Sequence, residues 1–261
     1  MILVIILVLL VFLICFHTNT SMFSENNAYA VSFGGGDQNF LDAVDRVTSE
    51  LNDTQLFTSI FKYTDHDLKI DKDFWSKHGT FIENNKRGYG YWIWKPYVIK
   101  KSMEKIKYGD TLFYMDSGCE VENKPDELEK IKLICGKYDM LYKSTGYNVI
   151  SYTKMDILNF MNLNTEEVKT SPQYEATVIL FKKTELTVKF VDDWYDLCCN
   201  YNLIDDSPSV AQNDPRFIEN RHDQALFSLL LVTPLYKDRL CTPDNYGSSY
   251  YPIKGSRRRG K

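Results

Sequence analysis

The sequence lacks the local signatures of several large enzyme classes. It has no Cys-x-x-Cys pair, which removes zinc ribbons and thioredoxin-like redox sites. No Gly-x-Ser-x-Gly elbow occurs, and the run Met115-Asp116-Ser117-Gly118 does not have the Asp-x-Asp-x-Thr/Val spacing of an aspartyl phosphatase. The triplet Gly34-Gly35-Gly36 is not spaced as the Gly-x-Gly-x-x-Gly fingerprint of a dinucleotide fold. Internal repeats and low-complexity segments are missing. So is a global basic field: the formal net charge is −4, which speaks against a nucleic-acid partner. Only the run 254–261, KGSRRRGK, is strongly basic, and it reads as a solvated tail.

What is present is a globular composition, 44% hydrophobic and 25% charged, on a chain of 261 residues, enough for one large α/β domain. The first sixteen residues, MILVIILVLLVFLICF, carry no charge. As a helix they reach about 24 Å, somewhat short of a hydrocarbon core of about 30 Å, so a signal anchor and a cleaved signal peptide are both readings of this run. Cleavage after Ala28-Tyr29-Ala30 would clip the first expected strand, which favours an uncleaved single-pass membrane anchor with a lumenal or extracytoplasmic domain. The sequons at Asn19 and Asn52 agree with that location. The expected organisation is an anchor over 1–16, a tether over 17–28, a single domain over 29–253 and a basic tail over 254–261. Cys119, Cys135, Cys198, Cys199 and Cys241 leave disulfide pairing unassigned.

Strand and helix patterns alternate along the domain. AVSFGGG reads as a buried strand entering a turn, and DQNFLDAVDRVTSEL as a helix with Phe40, Val44, Val47 and Leu51 on one face. LFTSIFKYTD, TLFYM, DMLYKST and EATVILFKK read as further strands. The helices are DFWSKHGTFIENN, KPYVIKKSMEKI, PDELEKIKLICGKY, SYTKMDILNFMNL, ELTVKFVDDWYDLCCNYNLI and ENRHDQALFSLLLV. This order predicts an α/β fold with a mostly parallel central sheet flanked by helices.

Three stretches carry the chemistry. In open α/β sheets ligands bind at the carboxyl ends of strands, so Asp116, which ends the apolar run Thr111 to Met115, is a candidate site residue. Gly118 would let a ligand approach the backbone, and Glu120 is a second oxygen donor for a divalent cation. Arg221, His222, Asp223 and Gln224 stand together at a helix start; capping accounts for Asp223 but not for its neighbours. The stretch RGYGYWIWKPYVI, 87–99, puts five rings beside Arg87 and Lys95. Those rings cannot all face one way, so it reads as half core and half pocket wall, with Trp92 or Trp94 free to stack on a flat ligand.

RGYGYWIWKPYVI, GDTLFYMDSGCE and RHDQALFSLL together resemble a group of glycosyltransferase-like proteins of bacteria and large viruses with the GT-A fold of nucleotide-sugar transferases. The resemblance spans roughly 30–235. It implies a nucleotide-sugar donor, a glycan or glycoprotein acceptor, and a divalent metal, Mn²⁺ or Mg²⁺, held by Asp116 with Glu120 or His222. Asp116 matches the first acid of the family's Asp-x-Asp motif, but Gly118 stands where the second acid belongs. The resemblance further implies Arg87, with Lys95, on the donor diphosphate, Trp92, Trp94, Asp116, Gly118 and Gln224 around the donor, and Asp223 with His222 as the catalytic pair. The alternatives are a tethered, catalytically inactive carbohydrate-binding protein of the same fold, and an α/β hydrolase or phosphatase.

Overall fold

The computed structural model describes residues 26–240 and 251–260. The expected anchor, most of the tether, Cys15 and Cys241 lie outside the described residues. Among those described, no helix is long and apolar enough to cross a membrane, and Cys119, Cys135, Cys198 and Cys199 are free thiols.

The chain opens with β1 (Ala28–Gly34), α1 (Gln38–Asp53), β2 (Ser59–Thr64), α2 (Asp65–Ile70) and α3 (Lys72–Asn84). A tight turn, α4 (Gly88–Tyr91), leads into α5 (Trp94–Glu104), followed by β3 (Thr111–Met115), β4 (Glu120–Val121), α6 (Pro125–Tyr138) and β5 (Met140–Leu141). An excursion follows: β6 (Ser144–Asn148), a 3-10 turn over Val149–Tyr152, α7 (Met155–Phe160), α8 (Glu166–Thr170) and β7 (Pro172–Tyr174). The chain then forms β8 (Val178–Lys182), α9 (Glu185–Cys198), α10 (Tyr201–Ile204), α11 (Asp223–Leu231) and β9 (Ile253–Lys254).

The central sheet has the order β2-β1-β3-β8-β5 and is mixed. β1 pairs in parallel with β2 and β3, whereas β8 runs antiparallel to β3 and β5. β2, β1, β3 and β5 thus share one direction, and β8 alone departs from the expected parallel arrangement. The cause is the excursion after β5, which leaves the sheet and returns at the carboxyl end of β3, where the Asp116 amide donates to the Thr177 carbonyl at 2.9 Å. A strand that enters there must run backwards. The run DMLYKST is likewise divided between β5 in the central sheet and β6, which pairs with β7 in a separate ribbon. The long helix read over ELTVKFVDDWYDLCCNYNLI breaks after Cys198.

All five residues of β3 are buried. Because successive side chains of a strand face opposite sides, Leu112 and Tyr114 join the core under α5, α9 and α11, and Phe113 and Met115 join the core under α1 and α6. The same alternation continues past the strand end and turns Asp116 toward the α5 and α11 side. The three-layer packing therefore places the acid at one end of the buried sheet.

The aromatic stretch has an unusual backbone. Gly88, Tyr89, Gly90, Tyr91 and Trp92 all have positive φ, between 51° and 84°, and the turn is closed by Tyr91 N to Arg87 O at 2.8 Å and Trp92 N to Gly88 O at 3.1 Å. A left-handed turn costs roughly 1–2 kcal/mol for each non-glycine residue, so surrounding contacts must hold it. They do. The Trp94 indole donates to the Gly88 carbonyl at 2.9 Å, and a β-carbon at Gly90 would lie 2.6 Å from Ile82 Cγ1. Gly90→Ala is therefore expected to destabilise the fold by more than about 1 kcal/mol. Gly136→Ala, in α6 with open space around it, should instead stabilise by roughly 0.5–1 kcal/mol. Urea denaturation of both variants checks this; a Gly90→Ala protein as stable as the parent would contradict the left-handed turn, and the Gly136→Ala variant serves as the control for a glycine in open helix.

Candidate active site

At the carboxyl end of β3 a buried lysine sits between two aspartates. Lys95 lies in the first turn of α5, directly after the left-handed turn, and its side chain is 4% exposed. Its Nζ stands 3.2 Å from Asp116 Oδ1 and 3.2 Å from Asp223 Oδ2, and it donates to the Ala176 carbonyl at 2.9 Å. Asp116 Oδ1 also accepts from the Tyr114 hydroxyl at 2.5 Å. Tyr114 and Asp116 are two residues apart and so share one face of the strand. The Asp116 side chain remains 31% exposed, so this cluster opens to solvent through Asp116.

Asp223 is the first residue of α11 and is 4% exposed. Its Oδ2 receives no aligned hydrogen bond, although the Lys95 charge is close. Burial pushes the carboxyl up to about 6; Lys95 pulls it down and Asp116 pushes it further up. Lys95, pulled down by burial and held up more strongly by the two carboxylates, has its pKa raised and stays charged. The position of Asp223 is set by Trp194 of α9, whose indole donates to the Asp223 carbonyl at 2.9 Å.

His222 precedes Asp223 with φ 54° and ψ −125°. Its Nδ1 is 2.6 Å from the Ile204 carbonyl, which makes Nδ1 the protonated nitrogen and leaves Nε2 as an acceptor. Nε2 is buried, has no hydrogen-bond partner and lies 3.8 Å from Asp206 Oδ1. Burial lowers the pKa of the ring, so it is neutral near pH 7. Tyr91 and Trp92 stack against the imidazole at centroid distances of 5.0 and 5.2 Å.

Other residues singled out in the sequence take different places. Arg87 forks onto both oxygens of Asp206 at 3.1 Å and reaches Glu219 at 3.4 Å. It lies at the entry to the left-handed turn rather than on a helix. Trp94 belongs to the core: it is 5% exposed and stacks on Phe33 at 4.0 Å, which corrects its reading as a pocket wall. Trp92 stays at the rim. Gln224 turns inward and accepts from the Ala176 amide at 3.3 Å, bracing the carbonyl that holds Lys95. Glu120 pairs with Arg258 at 2.8 Å, which holds its carboxyl below the usual range.

The expected metal ligands Asp116, Glu120 and His222 therefore do not converge. Among the described residues no group of three or more His, Cys, Asp or Glu side chains has the arrangement to hold a metal ion, and the cation between the two acids is the Lys95 ammonium. These residues do not fit the divalent site read from the sequence.

Several partners were not read from the sequence. Tyr114 was legible in principle, because it lies two positions from Asp116 on a strand. Asp206, Glu219 and the Ala176 carbonyl come from segments 80 or more residues away from their partners in 87–95 and carry no local signal.

No protein-family model and no curated protein matches the sequence. Among solved structures the fold is similar to mouse xyloside xylosyltransferase 1 in its apo form, with 9% identity, a TM-score of 0.44, and coverage of 80% of this chain and 83% of that one. It is also similar to the apo WbbM bifunctional glycosyltransferase, with 11% identity and a TM-score of 0.40; the match covers 83% of this chain but only 38% of that one.

The Lys95 cluster has a stability signature. Removing one partner of a buried charge group typically costs about 3–5 kcal/mol, so Lys95→Met should lose that much at pH 7.5. A carboxylate whose pKa is raised on folding adds stability below the ordinary carboxylate range, and that contribution disappears as pH rises through the folded value. With Lys95 gone Asp223 titrates higher still, so the loss should be smaller at pH 5, where the carboxyl is protonated. Equal losses at the two pH values in chemical denaturation would contradict the buried cluster.

Proposed function

We propose that the chain is a glycosyltransferase that moves a sugar from a nucleoside-diphosphate sugar to a hydroxyl acceptor on a glycan or glycoprotein. The observation that carries this reading is the buried Lys95 between Asp116 and Asp223 at the carboxyl end of β3. An α/β sheet presents ligands there, and the cluster offers an accessible acid, a fixed cation and a carboxyl tuned toward neutrality. The sequence motifs around the same three residues resemble those of nucleotide-sugar transferases, which supports the choice of reaction.

In this reading Asp223 accepts the proton of the acceptor hydroxyl. The acceptor oxygen forms the new bond to the anomeric carbon, and the bond from that carbon to the diphosphate oxygen breaks with its electron pair leaving on the phosphate. Asp116 faces solvent and meets the donor. Lys95 holds Asp116 in orientation at the strand end through its 3.2 Å ion pair. Trp92, stacked on His222 at the rim, presents an aromatic surface to a sugar or base. His222 Nε2, a buried acceptor, is suited to take a hydrogen bond from a ligand hydroxyl. The membrane anchor read over 1–16 would hold the enzyme beside its acceptors.

The test is release of nucleoside diphosphate by the full-length chain across a panel of nucleotide sugars, with added manganese or with EDTA. One donor should be turned over, and Asp223→Asn should lower the rate by about 10²–10⁴-fold, the range of a general base. The pH profile of kcat/KM should rise through a limb near 6, following ionisation of Asp223. Saturable sugar binding without any turnover would replace the enzyme with a carbohydrate-binding protein of the same fold.

A further inference from the structure

The basic tail is not a loose end. β9 pairs antiparallel with β4, joining Lys254 to Glu120 and Ile253 to Val121. From there the backbone runs across the loop that follows Asp116. The Gly118 carbonyl accepts from the Arg258 amide at 3.0 Å and from the Ser256 hydroxyl at 3.1 Å. The approach at Gly118 is close: a β-carbon there would stand 3.2 Å from the Arg257 Cα, so the strap would have to give by a few tenths of an ångström. The strap ends on the first turn of α1, where Gly260 N donates to the Asn39 carbonyl at 3.0 Å and Arg259 lies over the Phe40 ring at 5.0 Å.

Arg46 fastens it. Its guanidinium is 8% exposed and donates to the Ser117 and Cys119 carbonyls on the loop and to the Arg258 and Gly260 carbonyls on the strap, with Glu50 as its counter-ion. One buried side chain thus binds the C-terminal strap to the loop of the candidate site. The expectation of a solvated tail holds for the arginine side chains, which are exposed, but not for the backbone.

The charge balance around the site gives this arrangement a purpose. Lys95 faces two carboxylates and Arg87 faces two more, while His222 is neutral. Neither cation has charge to spare for an anionic ligand. The strap carries three consecutive arginines across the carboxyl ends of β1 and β3. Arg258 is matched by Glu120, Arg259 rests on an aromatic face, and Arg257, exposed and with φ 55°, pairs with no acid among the described residues.

We infer that the strap over 256–260 is the cationic wall of an anion site at the carboxyl ends of β1 and β3, and that it takes the diphosphate group of a nucleotide. The choice of a nucleotide diphosphate rests on the transferase reading; the anion site rests on the strap geometry. Guanidinium groups pair with phosphate oxygens through two parallel hydrogen bonds, and Arg257 and Arg259 can turn toward the loop without disturbing the backbone bonds that Arg46 holds.

Calorimetric titration of the full-length chain in detergent with UDP, GDP and inorganic pyrophosphate tests this, beside Arg257→Gln and the double variant R257Q/R259Q. Loss of one charge-assisted contact corresponds to roughly a tenfold weakening, so the single variant should bind about tenfold and the double variant about a hundredfold more weakly, with unchanged melting temperatures. Pyrophosphate should also slow tryptic cleavage at the arginine run of the wild-type chain. Unchanged affinity in the double variant, with the protein folded, overturns the inference. So does arginine-dependent binding to phosphatidylserine vesicles alongside diphosphate binding that ignores both arginines. If no donor is turned over but diphosphate binding still depends on Arg257, the anion site stands and the transferase reading falls. If transfer proceeds with an unaltered donor KM in R257Q/R259Q, the transferase reading stands and the strap assignment falls.

Discussion

A buried ammonium group must be compensated on every side, and most of the site's architecture follows from that requirement at Lys95. Its partners come from the end of β3, the start of α11 and the segment ahead of β8. These segments are distant in sequence and are brought together by the fold; removing any one of the charged partners would leave an uncompensated buried charge at a cost of roughly 3–5 kcal/mol. The pairing also sets the protonation of its neighbours, since Asp223 is held near neutrality by burial and Asp116 acting against Lys95.

The strained aromatic turn belongs to the same constraint. Five successive positive φ values over Gly88–Trp92 reverse the local hand of the chain just before Lys95, so that α5 starts beside the strand end with its lysine pointing in. The rings of the stretch are divided by this geometry. Trp94 locks the turn from the core, Tyr97 packs against Phe74 with its hydroxyl on Asp71, and Tyr91 and Trp92 frame His222. Strain of this kind persists where packing over-determines it and is concentrated at functional sites.

Reversal of β8 serves the site as well. A strand entering at the carboxyl end of β3 brings Ala176 and Thr177 to Asp116 and Lys95, which a parallel strand in that position would have carried to the opposite end. The C-terminal strap arrives at the same edge from the other side, held by Arg46. Two late segments of the chain thus meet at the carboxyl end of β3.

Much of this was legible locally. Apolar alternation marks β3 as central, the periodicity of α1 and α6 marks their buried faces, and an acid closing a buried strand marks Asp116, because each of these depends on neighbours within a few residues. The sequence by itself determined the alternation of strands and helices, the two polar clusters at 116 and 222–224, and the unusual stretch at 87–99. Only the tertiary structure decided that β8 runs backwards, that Arg87 is spent on Asp206 and Glu219, that Lys95 is the cation between the two aspartates, and that the arginine tail lies on Gly118. The division has one physical reason. Periodicity and capping are short-range and leave a mark in the order of residues, whereas compensation of a buried charge is satisfied by whichever partner the fold brings within about 3 Å, from anywhere in the chain.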